Sequence, residues 1–239
     1  MAFETAFRTE VGNSAKGRNE DAFEVRWPAG TDLMDRDGIL LAVADGVGGE
    51  SCGDEASRIA VETLTQAYGE AQGRVPAALR LMDAFTKANA GVYAASRKAG
   101  HWGMCTTLAA AIVFPTHAVF ANVGDSRGYV IPSHGPARQV TVDHSEVQEM
   151  VAAGMLTPQD AETAANRNVI TRVVGSHSSV QVDIFNVQLA PGDTVLLCTD
   201  GLVTAVNDTE IAGAMQGHPL ESAVDCLVEL AKGLKGHDN

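Results

Sequence analysis

The sequence predicts an α+β sandwich, two mainly antiparallel sheets with helices packed outside them. Three observations carry this expectation. Short apolar strands come in pairs joined by tight turns, and long amphipathic helices separate those pairs. No glycine-rich phosphate turn follows the first strand, as an open doubly wound parallel sheet would favour.

Glu20-Asp21 opens a strand running through Trp27, and Ile39-Leu40-Leu41-Ala42-Val43-Ala44 is a buried strand bounded by Asp45-Gly46. From Gly53 to Tyr68, Ala56, Ile59, Ala60, Thr63, Leu64 and Ala67 fall on one face of a helix. A second helix follows Pro76, with Ala78, Leu81, Met82, Phe85 and Val92 along one side. Thr107–Phe114 and Ala118–Val123 form a hairpin around Pro115-Thr116-His117. Between Asp143 and Thr171 lies a helical insert. Asp143 or Ser145 caps a short helix through Ala153-Gly154, and Thr157-Pro158 starts another. Val180–Leu189 and Thr194–Thr199 read as a further hairpin about Pro191-Gly192-Asp193. Pro219 opens a last helix through Lys232. Neither a repeat nor a linker interrupts this order, so residues 1–239 are expected to form one domain.

Composition narrows the function classes. Lys and Arg number 17 against 30 Asp and Glu, a formal net charge of −13. Such a chain offers no basic stripe for nucleic acid and no attraction to an anionic membrane. No apolar run approaches the roughly 18 residues of a membrane span, and MAFETAFRTE lacks the apolar region of a signal peptide. A cytoplasmic protein is expected. Cys52, Cys105, Cys198 and Cys226 are scattered without a CxxC pair, which reads as reduced thiols, some of them in the core. The histidines form no HxxxH pair, which weakens a zinc reading.

Apolar strands repeatedly finish on an acid. Val43-Ala44 runs into Asp45-Gly46, Asn122-Val123-Gly124 into Asp125-Ser126, and Cys198-Thr199 into Asp200-Gly201. Glu20-Asp21 stands at a strand start and Asp238 near the last residue. One Asp-Gly after a strand is an ordinary turn. In antiparallel pairs, however, the start of one strand lies beside the end of its neighbour, so these acids can collect at one sandwich edge. Two carboxylates about 5 Å apart repel by roughly 3 kcal/mol at an effective dielectric near 20, so the cluster calls for cations. An all-oxygen donor set suits a hard ion, Mg²⁺ or Mn²⁺. Two such ions can generate a bridging hydroxide at neutral pH.

Asn19-Glu20-Asp21-Ala22, Val43-Ala44-Asp45-Gly46-Val47-Gly48-Gly49, Thr106-Thr107, Val123-Gly124-Asp125-Ser126-Arg127, Asn168-Val169-Ile170-Thr171-Arg172 and Cys198-Thr199-Asp200-Gly201 stand in order along the chain. Together they resemble the bacterial metal-dependent Ser/Thr protein phosphatases of the 2C type, the PPM family. The resemblance implies a four-layer α-β-β-α sandwich with helix pairs on its outer faces and a flap at about 143–171. It also implies hydrolysis of phosphoserine and phosphothreonine in phosphoproteins, by in-line attack of a hydroxide bridging two Mn²⁺ or Mg²⁺ ions. By the same resemblance Asp45 bridges the ions and the Gly46 carbonyl binds one of them. Asp200 and Asp238 complete the other, Glu20 and Asp21 hold metal-bound waters, and Asp125 binds a third, weaker ion. Phosphoprotein substrates, a cognate Ser/Thr kinase and a monomeric state are expected.

The sequence departs from the family in places. Many members carry a phosphate-gripping arginine four residues before the motif glutamate. Here that position is Lys16, with Arg18 nearby; Lys16 is the favoured grip, and it lacks the planar guanidinium fork. Val47 stands where eukaryotic members often have a histidine that acts as general acid. Arg127 is expected to hold its turn through an ion pair rather than to bind phosphate. His144 reads as a surface or turn histidine, with proton donation as the competing role. In the family an apolar strand directly follows Asp-Asn, so the natural protein is expected to continue past Asn239; a flexible polar tail is the alternative. Two other functions compete: a phosphatase dedicated to one phosphorylated regulator, such as an anti-sigma antagonist, and a catalytically inactive phosphatase fold used as a binding module.

Overall fold

The structure is a computed structural model that describes residues 3–11, 17–30, 33–47, 52–70, 75–98 and 103–233. Strand β1 (Asp21–Arg26), the short helix α1 (Met34–Asp37) and strand β2 (Ile39–Val47) lead into two long helices, α2 (Gly53–Glu70) and α3 (Ala77–Ser96). Five strands follow: β3 (Cys105–Thr106), β4 (Leu108–Val113), β5 (His117–Val123), β6 (Arg127–Ile131) and β7 (Arg138–Gln139). The flap carries α4 (Glu146–Ala152) and α5 (Pro158–Thr163). The chain continues through β8 (Asp183–Gln188), β9 (Thr194–Cys198), α6 (Asp200–Val203), α7 (Asp208–Met215) and α8 (Leu220–Gly233).

Two antiparallel sheets result. One has the order β1-β2-β4-β5-β8 with β3 attached to β2, and the other has the order β7-β6-β9. Alternation along each strand divides the apolar residues among the layers. Leu40, Ala42 and Ala44 of β2, with Leu108, Ala110 and Ile112 of β4, face α2 and α3, where Leu64, Leu81 and Phe85 are fully buried. Phe120 and Val130 meet between the sheets, joined by Phe185, Val195 and Leu197. Tyr129, Ile131 and Cys198 face the opposite way, onto Ile211, Met215 and Leu227 of α7 and α8. Three cores thus separate four layers, as the resemblance implied. Close approach of the sheets needs Gly128, since a Cβ there would stand 2.7 Å from the Phe120 ring.

The β4–β5 hairpin forms as read from the sequence. The hairpin expected between residues 180–189 and 194–199 does not. β8 pairs with β5, whereas β9 pairs with β6 in the other sheet. Phe185 and Val187 of β8, and Val195 and Leu197 of β9, all belong to the inter-sheet core and enter it from opposite sheets. The Ala190–Asp193 turn therefore crosses between sheets, closed by Asp193 N–H donating to Ala190 O at 3.1 Å. Cys198 is buried, and burial pushes its thiol up to about 12, but Cys226 is exposed on α8 despite its apolar neighbours.

Far along the helices, the buried Arg80 guanidinium donates to Asp37 Oδ1 at 3.0 Å and to Tyr68 O at 3.1 Å, and lies 3.9 Å from the Tyr68 ring centroid. Beside β9, a cavity of about 210 Å³ lies between the sheets; its lining includes Phe7, Val43, Leu197, Leu227 and Val228. Among the described residues no helix is long and apolar enough to cross a membrane.

Candidate metal centre

The strand pattern that buries Ala42 and Ala44 against the helices turns Asp45 toward the other sheet. In the β1–β2 register Asp21 stands directly opposite Asp45. Opposed residues share a face, and like charges in that position are destabilising. Thr199, at the end of β9 in the second sheet, donates its hydroxyl to Asp21 Oδ2 at 2.9 Å. Asp200 follows it as the first residue of α6. Asp125, in the turn after β5, is 8% exposed. Burial, with Asp200 and Asp143 nearby, pushes its carboxyl up to about 7, far above the usual carboxylate range. Both sheets thus deliver acids to the same edge.

Threonines hold the backbone here. Asp45 N–H donates to Thr107 Oγ1 at 2.9 Å, Thr106 Oγ1 donates to Asp45 O at 2.7 Å, and Thr107 Oγ1 meets Ser126 Oγ at 2.7 Å. Glu20 is buried, and its carbonyl accepts from Ser57 Oγ at 2.6 Å and from Gly46 N–H at 3.1 Å. Gly53, opening α2, is necessary for space. A Cβ on Gly53 would stand 2.6 Å from the Gly46 carbonyl oxygen and 2.8 Å from Glu20 Oε1. Both oxygens therefore converge on the Cα of Gly53, where there is no room for a side chain. Arg18 reaches the same corner, with Nη2 at 3.5 Å from Glu20 Oε1 and Nη1 at 4.0 Å from Asp54 Oδ1.

The donors fit a hard divalent cation. They are carboxylates and a backbone carbonyl, and Asp125 Oδ1 is buried without a hydrogen-bond partner. Among the described residues no three acidic, imidazole or thiol side chains draw into one compact ligand set. Lys16 and Asp238 lie outside the described residues.

The expected Arg127 ion pair is formed. Its Nε donates to Asp143 Oδ2 at 2.9 Å and its Nη2 to the same oxygen at 2.6 Å, tying β6 to the flap's first residue. Ser145, not Asp143, caps α4, accepting from Gln148 N–H at 3.4 Å. Thr157 caps α5, accepting from Asp160 N–H at 3.2 Å. The flap closes at its base, where Glu146 N–H donates to Val169 O at 2.9 Å. His144 is neither on the surface nor free to donate a proton. It is 6% exposed, and both ring nitrogens are engaged. Sequence reading assigned no role to Thr107, Thr199, Ser57 or Gly53. Both threonines stand in motifs that carry the family resemblance; Thr199 also ends a strand next to Asp200, whereas Thr107, between Thr106 and Leu108, has no acid beside it in the sequence.

Comparison with known proteins gives a concordant picture. The family model for protein phosphatase 2C matches residues 14–229. The chain is 37% identical over 206 residues to the serine/threonine phosphatase stp of Listeria monocytogenes, covering 84% of this chain and 81% of that protein. The solved structure of the serine/threonine phosphatase Stp1 from Staphylococcus aureus superposes with a TM-score of 0.85 at 32% identity, over all of this chain and 95% of that one. The catalytic domain of the serine/threonine protein phosphatase PstP in complex with two manganese ions superposes with a TM-score of 0.79 at 29% identity, over 95% of this chain and 91% of that one.

Proposed function

The chain belongs to the protein phosphatase 2C family and is a serine/threonine protein phosphatase, and from that premise we propose that the acidic edge between its two sheets is the catalytic centre for phosphoprotein hydrolysis. The observation that carries this reading is the convergence of the Gly46 carbonyl and the Glu20 carboxylate on Gly53, beside the opposed pair Asp21 and Asp45. By the family resemblance Asp45, the Gly46 carbonyl, Asp200 and Asp238 would hold ions directly, Glu20 and Asp21 would act through water, and Asp125 would hold a third ion. Manganese or magnesium bound there supplies positive charge that acidifies water and offsets charge on the phosphoryl oxygens.

The chain's own groups orient this chemistry. Thr106 and Thr107 fix the Asp45 backbone, and Thr199 fixes the Asp21 carboxylate. Lys16 grips the phosphate, and Arg18 steadies Glu20. Val47 supplies no proton at its position, and the engaged ring of His144 supplies none either, so the leaving serine or threonine oxygen takes its proton from water or another group. Residues 1–239 act as one catalytic domain whose flap lies beside the cleft. Substrates are phosphoproteins, supplied by a Ser/Thr kinase.

The test uses phosphoserine and phosphothreonine peptides with the purified protein. Phosphate release that requires manganese or magnesium and stops with chelator supports the reading; release unaffected by chelator overturns it.

A further inference from the structure

We infer that His144 is a positioning residue that builds the flap and the Asp125 turn into one unit, its Nδ1 side serving the turn and its Nε2 side serving the flap. The inference deepens the reading of Asp125 as a metal ligand and rests on it.

Gly124 and His144 exchange two hydrogen bonds. His144 N–H donates to Gly124 O at 2.9 Å, and Gly124 N–H donates to His144 Nδ1 at 2.9 Å. Gly124 immediately precedes Asp125, and its φ of 110° needs glycine. A backbone N–H can only donate, so Nδ1 carries no proton and the ring proton sits on Nε2. Nε2 lies 3.2 Å from Asp183 Oδ2 on β8. Arg172, just past the flap, donates from Nη1 to Asp183 Oδ1 at 2.9 Å; its 2.8 Å approach to the protonated Nε2 is a contact between two donors that share the Asp183 carboxylate, not a hydrogen bond. His144 O accepts from Thr171 N–H at 2.8 Å.

Every polar atom of His144 is therefore committed. Its N and Nδ1 hold the Asp125 turn, its O holds the far end of the flap, and its Nε2 holds β8. Asp143, Arg172 and Asp183 are the charged groups around the ring. Burial, together with Arg172, holds the imidazole below its ordinary pKa against the pull of Asp183, and the Gly124 N–H that donates to Nδ1 sets the tautomer. A shift of the flap is transmitted to Gly124 through one rigid ring, and a histidine that orders a carboxylate's turn influences that carboxylate's hold on metal.

Two substitutions separate the two sides of the ring. The side-chain oxygen of His144→Asn reaches the Nδ1 position and keeps the Gly124 bond but loses Asp183. The amide nitrogen of His144→Gln reaches the Nε2 position and keeps Asp183 but loses the Gly124 bond. For His144→Gln, the manganese concentration giving half-maximal hydrolysis of p-nitrophenyl phosphate should rise about tenfold, with KM for that substrate unchanged. For His144→Asn, manganese dependence should stay within about twofold, while KM rises for a phosphopeptide and not for p-nitrophenyl phosphate. Equal manganese dependence in His144→Gln and the parent overturns the inference. So does a tenfold shift in His144→Asn, a result that decides the matter even if the glutamine variant does not fold. Asp125→Asn separates this from the underlying reading. If Asp125→Asn shifts manganese dependence and His144→Gln does not, only the inference falls; if neither shifts it, the assignment of Asp125 falls too.

Discussion

Asp21 and Asp45 face each other directly across neighbouring antiparallel strands, on the side of the sheet that looks toward Thr199 and Asp200. A folded chain spends stability to hold two carboxylates in this relation, because like charges directly opposite each other on a sheet are destabilising. A cation held at this edge would offset that repulsion. The same logic covers Asp125, whose carboxyl is pushed up to about 7 by burial and by Asp200 and Asp143.

Thr107 is the fully buried clamp on the Asp45 backbone, bonded to Asp45 N–H at 2.9 Å and to Ser126 Oγ at 2.7 Å. Thr107→Val keeps the shape and removes both bonds. It should cost about 1–2 kcal/mol of stability by denaturant unfolding. Manganese affinity, read by calorimetric titration, should fall about tenfold. A variant with unchanged affinity would mean that Asp45 needs no such support.

A pH test lies away from the metal edge. Asp37 is nearly buried; burial raises its pKa, but hydrogen bonds and charge from Arg36 and Arg80 outweigh this and hold it below the usual carboxylate value. A depressed pKa contributes stability above the unfolded value and loses it as pH falls through the folded one. Asp37→Asn strands the Arg80 charge and should cost about 3 kcal/mol at neutral pH. Below the folded pKa the parent also loses the charge pair, so the two unfolding curves should converge. A gap that stays constant to acid pH would contradict the ion-pair account.

The phosphate grip is tested by kinetics. Lys16→Ala should raise KM for p-nitrophenyl phosphate several-fold with kcat nearly unchanged. Arg18 sits 3.5 Å from Glu20, so Arg18→Ala should act through the metal site and lower kcat. The reverse pattern would transfer the grip to Arg18.

Much of this architecture can be read from the sequence because period-two burial and turn residues are local properties. The β4–β5 hairpin follows from Pro115-Thr116-His117, and the acids just after β5 and β9 follow from apolar runs that stop on aspartate; Asp45, read as the bound of its strand, instead lies within β2, which continues to Val47 by pairing with β3. Partner choice is not local. The turn at Pro191-Gly192-Asp193 says that the chain reverses, but not that β8 and β9 part into different sheets. Short β6 leaves only a weak strand signal, because Gly128 interrupts its apolar run. The role of His144 is equally hidden, since its ring partners Gly124 and Asp183 lie 20 and 39 residues away.

The central claim is that the edge shared by Asp45 and Asp200 binds the cations that drive hydrolysis. The most direct measurement is manganese-dependent hydrolysis of p-nitrophenyl phosphate by the parent protein, Asp45→Ala and Asp200→Ala, each checked for an intact fold by circular dichroism. The parent should hydrolyse the ester only with manganese or magnesium present, and both variants should lose that activity. Parent-like, metal-dependent turnover in either folded variant would contradict the assignment.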